Sequence, residues 1–473
     1  MSENIFKKIV AENPEHDGIA VVYDGRKFSY GELFADVERV SGELTLLGIK
    51  AGDRCGFIAP DSYEYIVYSL ALLNIDAALI PLSSRAVRSE LDRMITEVPM
   101  EFLIAQKSFA DGGKWQNLGD FRVKQLDCCA EKVTLPGGRK PAFIRFSSGT
   151  TGKNKGVILS HEAVLERTDA CTALTIGRGE FVLWVLDMAY HFVVTIILFL
   201  RRGASIVICP DPKEVNMAKL LAEYPATLLY ATPYHYQVMV NYDEYKVEML
   251  KKTKLCISTA MRLPGSVARD FYDKFGIPLN QAYGIIEVGL PCINSMENLD
   301  KQSAVGVVQQ AYEVRIDNPD ADGTGEILIK GPGMFDAYLA PFKLRDEVCR
   351  DGYFVTGDLG YQDADGALFI VGRSKNVIIF AGMKIFPYEV EDVLASHKEV
   401  KEVRVSGMAN ALLGELPVAE IVPARTLDPG EYDALVRELR RYCYERLAEY
   451  KVPKDFRFVD GLSKTASGKL LRK

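Results

Sequence analysis

The sequence predicts an α/β fold: a large N-terminal region built on parallel sheets, a stretch of short antiparallel strands, and a small α+β C-terminal domain. Helical and strand-like patterns alternate from Phe28 to Ser258. Between about residues 305 and 372 the texture changes to short strands separated by Asp-Gly turns, and past Gly372 a new alternation begins.

The first clear element opens on a capping box, with Ser29 at the N-cap and Glu32 three residues on. Leu33, Val37, Val40, Leu44 and Leu47 then recur at helical spacing until Gly48 stops the helix. A strand (Arg54 to Ile58), a helix (Tyr63 to Leu73) and a strand (Ala77 to Pro81) follow. The runs Gly203 to Ile208, Thr227 to Tyr230 and Lys254 to Ser258 extend the alternation, which places helices on both faces of parallel sheets. Asp322-Gly323, Asp351-Gly352 and Asp365-Gly366 punctuate an antiparallel or barrel-like portion. Beyond it come a strand (Val377 to Phe380), a helix from Pro387, two strands (Val400 to Val405 and Val418 to Val422) and a helix (Glu431 to Leu447). Pro387 suits a first helical turn, and Glu389, Glu391 and Asp392 complement its positive end. The joint falls near Arg373-Ser374-Lys375, dividing the chain into 1–373 and 374–473.

The 473 residues are enough for two or three domains, and 48% hydrophobic with 26% charged residues is ordinary globular composition. A net charge of −7 with no strongly basic stretch excludes nucleic acid as the main partner. Nine cysteines lack zinc-ligand spacing and five histidines are scattered, so no metal cage is expected. The amino terminus has no signal pattern, and the greasiest run, Phe192 to Leu200, is far too short for a membrane span. Reduced cysteines in a soluble cytoplasmic protein fit these observations.

The stretch Ser147-Ser148-Gly149-Thr150-Thr151-Gly152-Lys153-Asn154-Lys155-Gly156 packs three glycines, four hydroxyls and two lysines into ten residues. Glycine lets backbone N–H groups turn toward an anion, and hydroxyl and ammonium groups complete a cradle for phosphate oxygens. It is not a Walker loop, because Asn154 stands where that spacing needs glycine. Val157 to Leu159 reads as a second strand and Ser160 as a helix N-cap, so a strand–loop–strand hairpin is expected, although composition alone also allows a flexible surface loop. Further on, Tyr283 offers a ring face to a base and Glu287 a carboxylate to Mg²⁺. Asp358 can accept two ribose hydroxyls. As bare sequence, these segments also read as a strand end, a turn and a solvated linker.

The stretch from Ser147 to Gly156 resembles the phosphate loop of the adenylate-forming superfamily (acyl-CoA synthetases, peptide-synthetase adenylation domains, firefly-type luciferases), departing only at Asn154, a proline position there. Gln281 to Glu287 is similar to the family's Tyr-Gly-x-Thr-Glu motif, with Ile286 in place of the threonine that bonds the α-phosphate. Tyr353 to Asp358 matches Trp/Tyr-Phe-x-Thr-Gly-Asp, and Gly372 to Glu391 resembles the hinge and core motif. Lys464 to Arg472 matches Lys-Thr-x-Ser-Gly-Lys-x-x-Arg, with Ser463 in the preceding proline position.

The resemblance implies two α/β subdomains plus a small β-barrel, and a mobile C-terminal lid. It implies catalytic roles for Lys469, Glu287 and Lys155, with Glu287 the metal ligand. Nucleotide contacts fall to Ser147, Ser148, Gly149, Thr150, Thr151, Gly152, Tyr283, Gly284, Asp358 and Arg373. Lys375 becomes the lid's pivot, and Gly382 lies in the loop that faces the site once the lid turns. ATP and Mg²⁺ would convert a carboxylic acid to an acyl-adenylate, and a thiol of CoA or phosphopantetheine would then take the acyl group. Because the chain ends after the lysine motif, the thiol would come from free CoA or a separate acyl carrier protein. Expected pocket residues are Trp184, Tyr190, His191, Tyr234 and Gly289, an apolar and aromatic set favouring an aryl or fatty acid. Asp187 keeps an amino acid open as substrate. The departures at Asn154 and Ile286 keep open a catalytically weakened nucleotide-binding module.

Overall fold

The computed structural model describes residues 3–110, 112–128, 130–147, 155–211, 214–294, 301, 303–428 and 430–464. The helix Tyr30–Leu46 begins as the sequence predicts. Ser29 Oγ accepts the Glu32 N–H at 3.1 Å, and the Glu32 carboxylate accepts the Ser29 N–H at 2.8 Å. Its apolar stripe (Leu33, Val37, Val40, Leu44) is buried, and the helix packs on Tyr63–Asn74. Tyr63–Asn74 is apolar almost all round and correspondingly buried.

Two large sheets organise the N-terminal part. The first has eight strands, in the order Gly289–Ile293, Leu279–Ile285, Leu255–Ser258, Leu228–Ala231, Phe181–Trp184, Ser205–Ile208, Ile19–Tyr23 and Arg26–Ser29. The second has nine, in the order Phe342–Leu344, Ala337–Leu339, Lys155–Ser160, Pro141–Ser147, Ala78–Ser83, Arg54–Ala59, Phe102–Gln106, Phe121–Gln125 and Gln116–Leu118. Their central strands run parallel. Trp184, Ala231 and Ser258 therefore end on one edge of the first sheet, and Ala59, Ser83 and Ser147 on one edge of the second.

The region of Asp-Gly turns forms a five-stranded antiparallel sheet, in the order Gly306–Val307, Ala367–Arg373, Phe354–Gln362, Gly325–Lys330 and Glu313–Asp317. One piece departs from it. Ala337–Leu339 leaves to pair antiparallel with Val157 and Ile158 at the margin of the nine-stranded sheet.

The C-terminal residues form their own sheet, Met383–Ile385, Ile378–Phe380, Gly414–Pro423 and Val400–Asn410, with Asp455–Phe458 parallel to Gly414–Pro423. Helices Pro387–Ala395 and Tyr432–Tyr444 contribute Val390, Leu394, Leu435 and Leu439 to a core shared with Val405, Ile421 and Phe456. The hairpin of Val400–Asn410 and Gly414–Pro423 runs longer than the apolar pattern predicts. Backbone pairing continues through exposed Gly407, Met408 and Ala409, where no apolar alternation marks it. The greasy run from Phe192 is a π-helical turn, Phe192–Ile196, leading into the buried helix Ile197–Arg201. Among the described residues no helix is long and apolar enough to cross a membrane.

Candidate active site

In parallel α/β sheets, ligands bind beyond the carboxyl ends of the strands. Here the carboxyl edges of both large sheets meet. Ser83 Oγ donates to Asp187 Oδ2 at 2.5 Å, the Met188 N–H donates to Asp61 Oδ1 at 2.8 Å, and Arg145 Nη1 donates to the Tyr190 carbonyl at 2.8 Å. Asp61 is buried, and burial, followed by the nearby Asp187 charge, pushes its carboxyl up to about 7.

The predicted hairpin is present. Pro141–Ser147 and Lys155–Ser160 pair antiparallel, with Ser147 opposite Lys155, and Ser160 caps the next helix by accepting the Ala163 N–H at 3.1 Å. Ser148 to Gly152 lie outside the described residues, as does Lys469. Lys155 Nζ sits 5.1 Å from the centre of the Tyr338 ring, and the Tyr338 hydroxyl donates to Glu287 Oε1 at 3.1 Å. The departing strand Ala337–Leu339 therefore carries Tyr338 between the hairpin and the Glu287 turn. Burial and the adjoining Glu287 carboxylate both raise the Tyr338 hydroxyl's pKa.

The Glu287 turn is pinned from behind by Arg167, a buried residue on the helix His161–Ala170. Its Nε donates to the Gly333 carbonyl at 2.9 Å and its Nη1 to the Ile286 carbonyl at 3.1 Å. Burial lowers its pKa to about 10. Gly333 has φ +65°, and a Cβ there would lie 2.4 Å from backbone atoms of that helix. Neither Tyr338 nor Arg167 carries a motif legible in one sequence, so the sequence reasoning missed both. The Ile286 side chain packs against the main core.

The Tyr283 hydroxyl donates to Asp358 Oδ2 at 2.6 Å, and Arg373 Nε meets Asp358 Oδ1 at 2.7 Å. Asp358 lies opposite Arg373 in the register of Phe354–Gln362 with Ala367–Arg373, so sheet pairing alone brings these two together. Gly284 is required by close approach, since a Cβ would stand 2.5 Å from the Gly289 carbonyl oxygen.

The expected pocket residues do not share one setting. Tyr190 lies beneath the Arg145 guanidinium, 5.1 Å from ring centre to Cζ, and His191 packs edge-on to Trp184 at 6.0 Å. Trp184 is fully buried and stacks on Tyr230, so it is part of the core rather than exposed to a pocket. Tyr234 is 57% exposed, because the helix Pro233–Asn241 turns His235 and Tyr236 inward instead. Gly289 faces Arg167 and Tyr312. Asp187 caps the turn Met188–His191 through the Ala189 N–H at 2.9 Å, so both of its oxygens are engaged within the protein.

Lys375 is exposed in the short turn Ser374–Asn376. Arg262 reaches the C-terminal part: its Nη2 meets Asp392 Oδ2 at 2.5 Å and its guanidinium lies 5.6 Å from the Tyr388 ring centre. Gly382, at φ +80°, lies in an exposed turn with nothing within 4 Å of a Cβ. Among the described residues no cluster of three His, Cys, Asp or Glu side chains could hold a metal ion.

Residues 6–339 match the AMP-binding enzyme family and residues 389–469 the AMP-binding enzyme C-terminal domain. The chain is 29% identical to a feruloyl-CoA synthase of Amycolatopsis sp, over 96% of this chain and 94% of that protein. It is 25% identical to a long-chain-fatty-acid–CoA ligase of Bacillus subtilis (strain 168), over 97% and 91%. The crystal structure of an ATP-bound RpMatB–BxBclM chimera superposes with a TM-score of 0.86 at 25% identity, covering 99% of this chain and 97% of that one. With the family match extending over most of its length, this chain belongs to the AMP-binding enzymes.

Proposed function

We propose that this chain joins a carboxylic acid to a pantetheine thiol in two steps, with ATP as the activating substrate, CoA as the acceptor and an aryl or medium-length fatty acid as the acid. The supporting observation is the convergence of the hairpin's Lys155, the Tyr338–Glu287 pair and the Tyr283–Asp358–Arg373 cluster around the carboxyl edges of two sheets. Relatives named as CoA ligases for aromatic and fatty acids support the same chemistry.

In the first step a carboxylate oxygen attacks the α-phosphorus, the bond to the β-phosphate oxygen breaks, and pyrophosphate leaves. Backbone N–H groups and hydroxyls of residues 147–152 hold the phosphates, and Lys155 adds charge at the hairpin's far side. Asp358 takes the ribose hydroxyls, with Arg373 beside it and Tyr283 against the base. Glu287 fits a magnesium ion: it is partly exposed, the Tyr338 hydroxyl fixes one oxygen, and with no acidic cluster among the described residues the remaining ligands would be phosphate oxygens and water. Bound there, the ion supplies positive charge against the phosphate oxygens. Lys469, delivered by residues 374–473 acting as a lid, stabilises the charge that develops at the α-phosphate.

In the second step the lid turns about Lys375, the thiol sulfur attacks the acyl carbon, and AMP leaves. Relatives named for aromatic and fatty acids favour such an acid over an amino acid. The eight described cysteines are unpaired, which suits the cytoplasm. Carboxylate-dependent exchange of labelled pyrophosphate into ATP tests this function; no exchange with any of a broad panel of acids removes it. Comparing turnover with CoA and with phosphopantetheinylated carrier proteins identifies the acceptor.

A further inference from the structure

Arg145 precedes the phosphate-binding loop on the strand Pro141–Ser147, on the strand face that Phe143 shares. Phe143 belongs to the main core, whereas Ile144 points into the separate core on the sheet's other side. The Arg145 side chain thus reaches into the space between the two large sheets, where Nη1 donates to the Tyr190 carbonyl at 2.8 Å and the guanidinium lies on the Tyr190 ring.

An arginine carries five N–H donors. Among the described residues only this one acceptor serves Arg145, its buried Nε has none, and no carboxylate comes within ion-pair distance. Arg145 as a whole is half-buried, whereas the fully buried arginines are provided for: Arg54 pairs with Glu101, Arg201 with Glu12 and Asp169, and Arg167 with two carbonyls. Besides Tyr190, the carboxylates of Glu287 and Asp187 act on Arg145 only through space. Burial accordingly lowers its pKa. A cation taken out of water without a counter-ion is costly, and such cost is tolerated where an anionic ligand completes the pair.

We infer that Arg145 is the counter-ion for the reacting carboxylate of the acid substrate. This rests on the adenylation chemistry proposed above. The guanidinium lies against the pocket turn that carries Tyr190 and within electrostatic reach of Glu287, the proposed magnesium ligand, so a carboxylate held on it would stand near the phosphates. Its uncommitted Nη2 group takes one carboxylate oxygen and leaves the other to attack. No proton moves, since the guanidinium stays charged, and the contribution is orientation and charge neutralisation before bond formation.

The test is calorimetric titration of cinnamate, octanoate and 4-carboxycinnamate into protein saturated with α,β-methylene-ATP, which blocks turnover. Arg145→Gln keeps a donor for the Tyr190 carbonyl and removes the charge; Arg145→Lys keeps the charge. For Arg145→Gln the expected result is acid affinity weakened about tenfold or more, the scale of a charge-assisted hydrogen bond, with nucleotide affinity and melting temperature nearly unchanged. Arg145→Lys should recover part of the loss. Unchanged acid affinity, or acid and nucleotide affinity falling together, overturns the inference. So does a loss confined to the dicarboxylate, which would place Arg145 on a second acidic group. If the wild-type protein binds none of the acids, the adenylation chemistry falls as well; wild-type binding with an indifferent variant removes Arg145 alone.

Discussion

Tyr338 joins two of the groups proposed to act on phosphate, with its hydroxyl on Glu287 and its ring beside Lys155. Removing the hydroxyl leaves the ring and the strand in place but frees the Glu287 carboxylate. A hydrogen bond to a charged group is worth about 1.5 kcal/mol or more. Tyr338→Phe is therefore expected to slow pyrophosphate exchange about tenfold and raise the magnesium concentration needed for half-maximal rate, while thermal unfolding shifts little. A large drop in melting temperature with unchanged magnesium dependence would make Tyr338 a packing residue. Lys469 makes the complementary case. Lys469→Ala should leave ATP binding nearly intact and cut adenylation about 10²-fold, the scale for losing one preorganised charge-stabilising contact. Equal loss of binding and rate would assign it to the fold.

Among the elements, the hairpin was readable because its two apolar strands bracket a loop with no apolar residue, and the pairing of Ser147 with Lys155 follows that pattern. The strand Ala337–Leu339 was not, because three residues cannot display a period and its partner lies far away in sequence. The contact of Arg262 with Asp392 and Tyr388 on the helix Pro387–Ala395 is likewise invisible in sequence. Both charges are partly exposed, so the pair is worth about 0.5–1 kcal/mol, enough to shift the lid's orientation severalfold without unfolding it. Arg262→Asp is expected to speed proteolysis at residues 374–376 and slow adenylation more than thioester formation. Adding Asp392→Arg should reverse both effects; a double variant no better than the single one would show that the pair does not hold the lid.

At the scale of the molecule, the N-terminal helix Ile5–Glu12 is anchored on two buried groups. Asn4 donates to the Leu73 carbonyl at 2.8 Å, and His161 Nδ1 accepts the Ile5 N–H at 3.2 Å. Burial, opposed by Asp76, lowers His161 to about 4. The unfolded chain then takes up this proton more readily than the folded one. Stability is fully present above about pH 6.5 and is lost as the pH falls toward 4, by up to about 3 kcal/mol. His161→Asn, which keeps an acceptor for Ile5, should flatten the fall in melting temperature between pH 6.5 and 4. An identical pH profile in the variant would place the titration elsewhere.

Local chemistry is what the sequence by itself determined: the capped helices, the apolar strands and the hairpin that follows Pro141. Each depends on neighbours a few residues apart, whose spacing the chain carries directly. The settings of Trp184 and Tyr234, and the roles of Tyr338, Arg167 and Arg145, were decided only by the tertiary structure. Burial and hydrogen-bond partners there come from segments tens of residues to well over a hundred away, and the meeting of two sheet edges leaves a guanidinium with no carboxylate in ion-pair distance among the described residues.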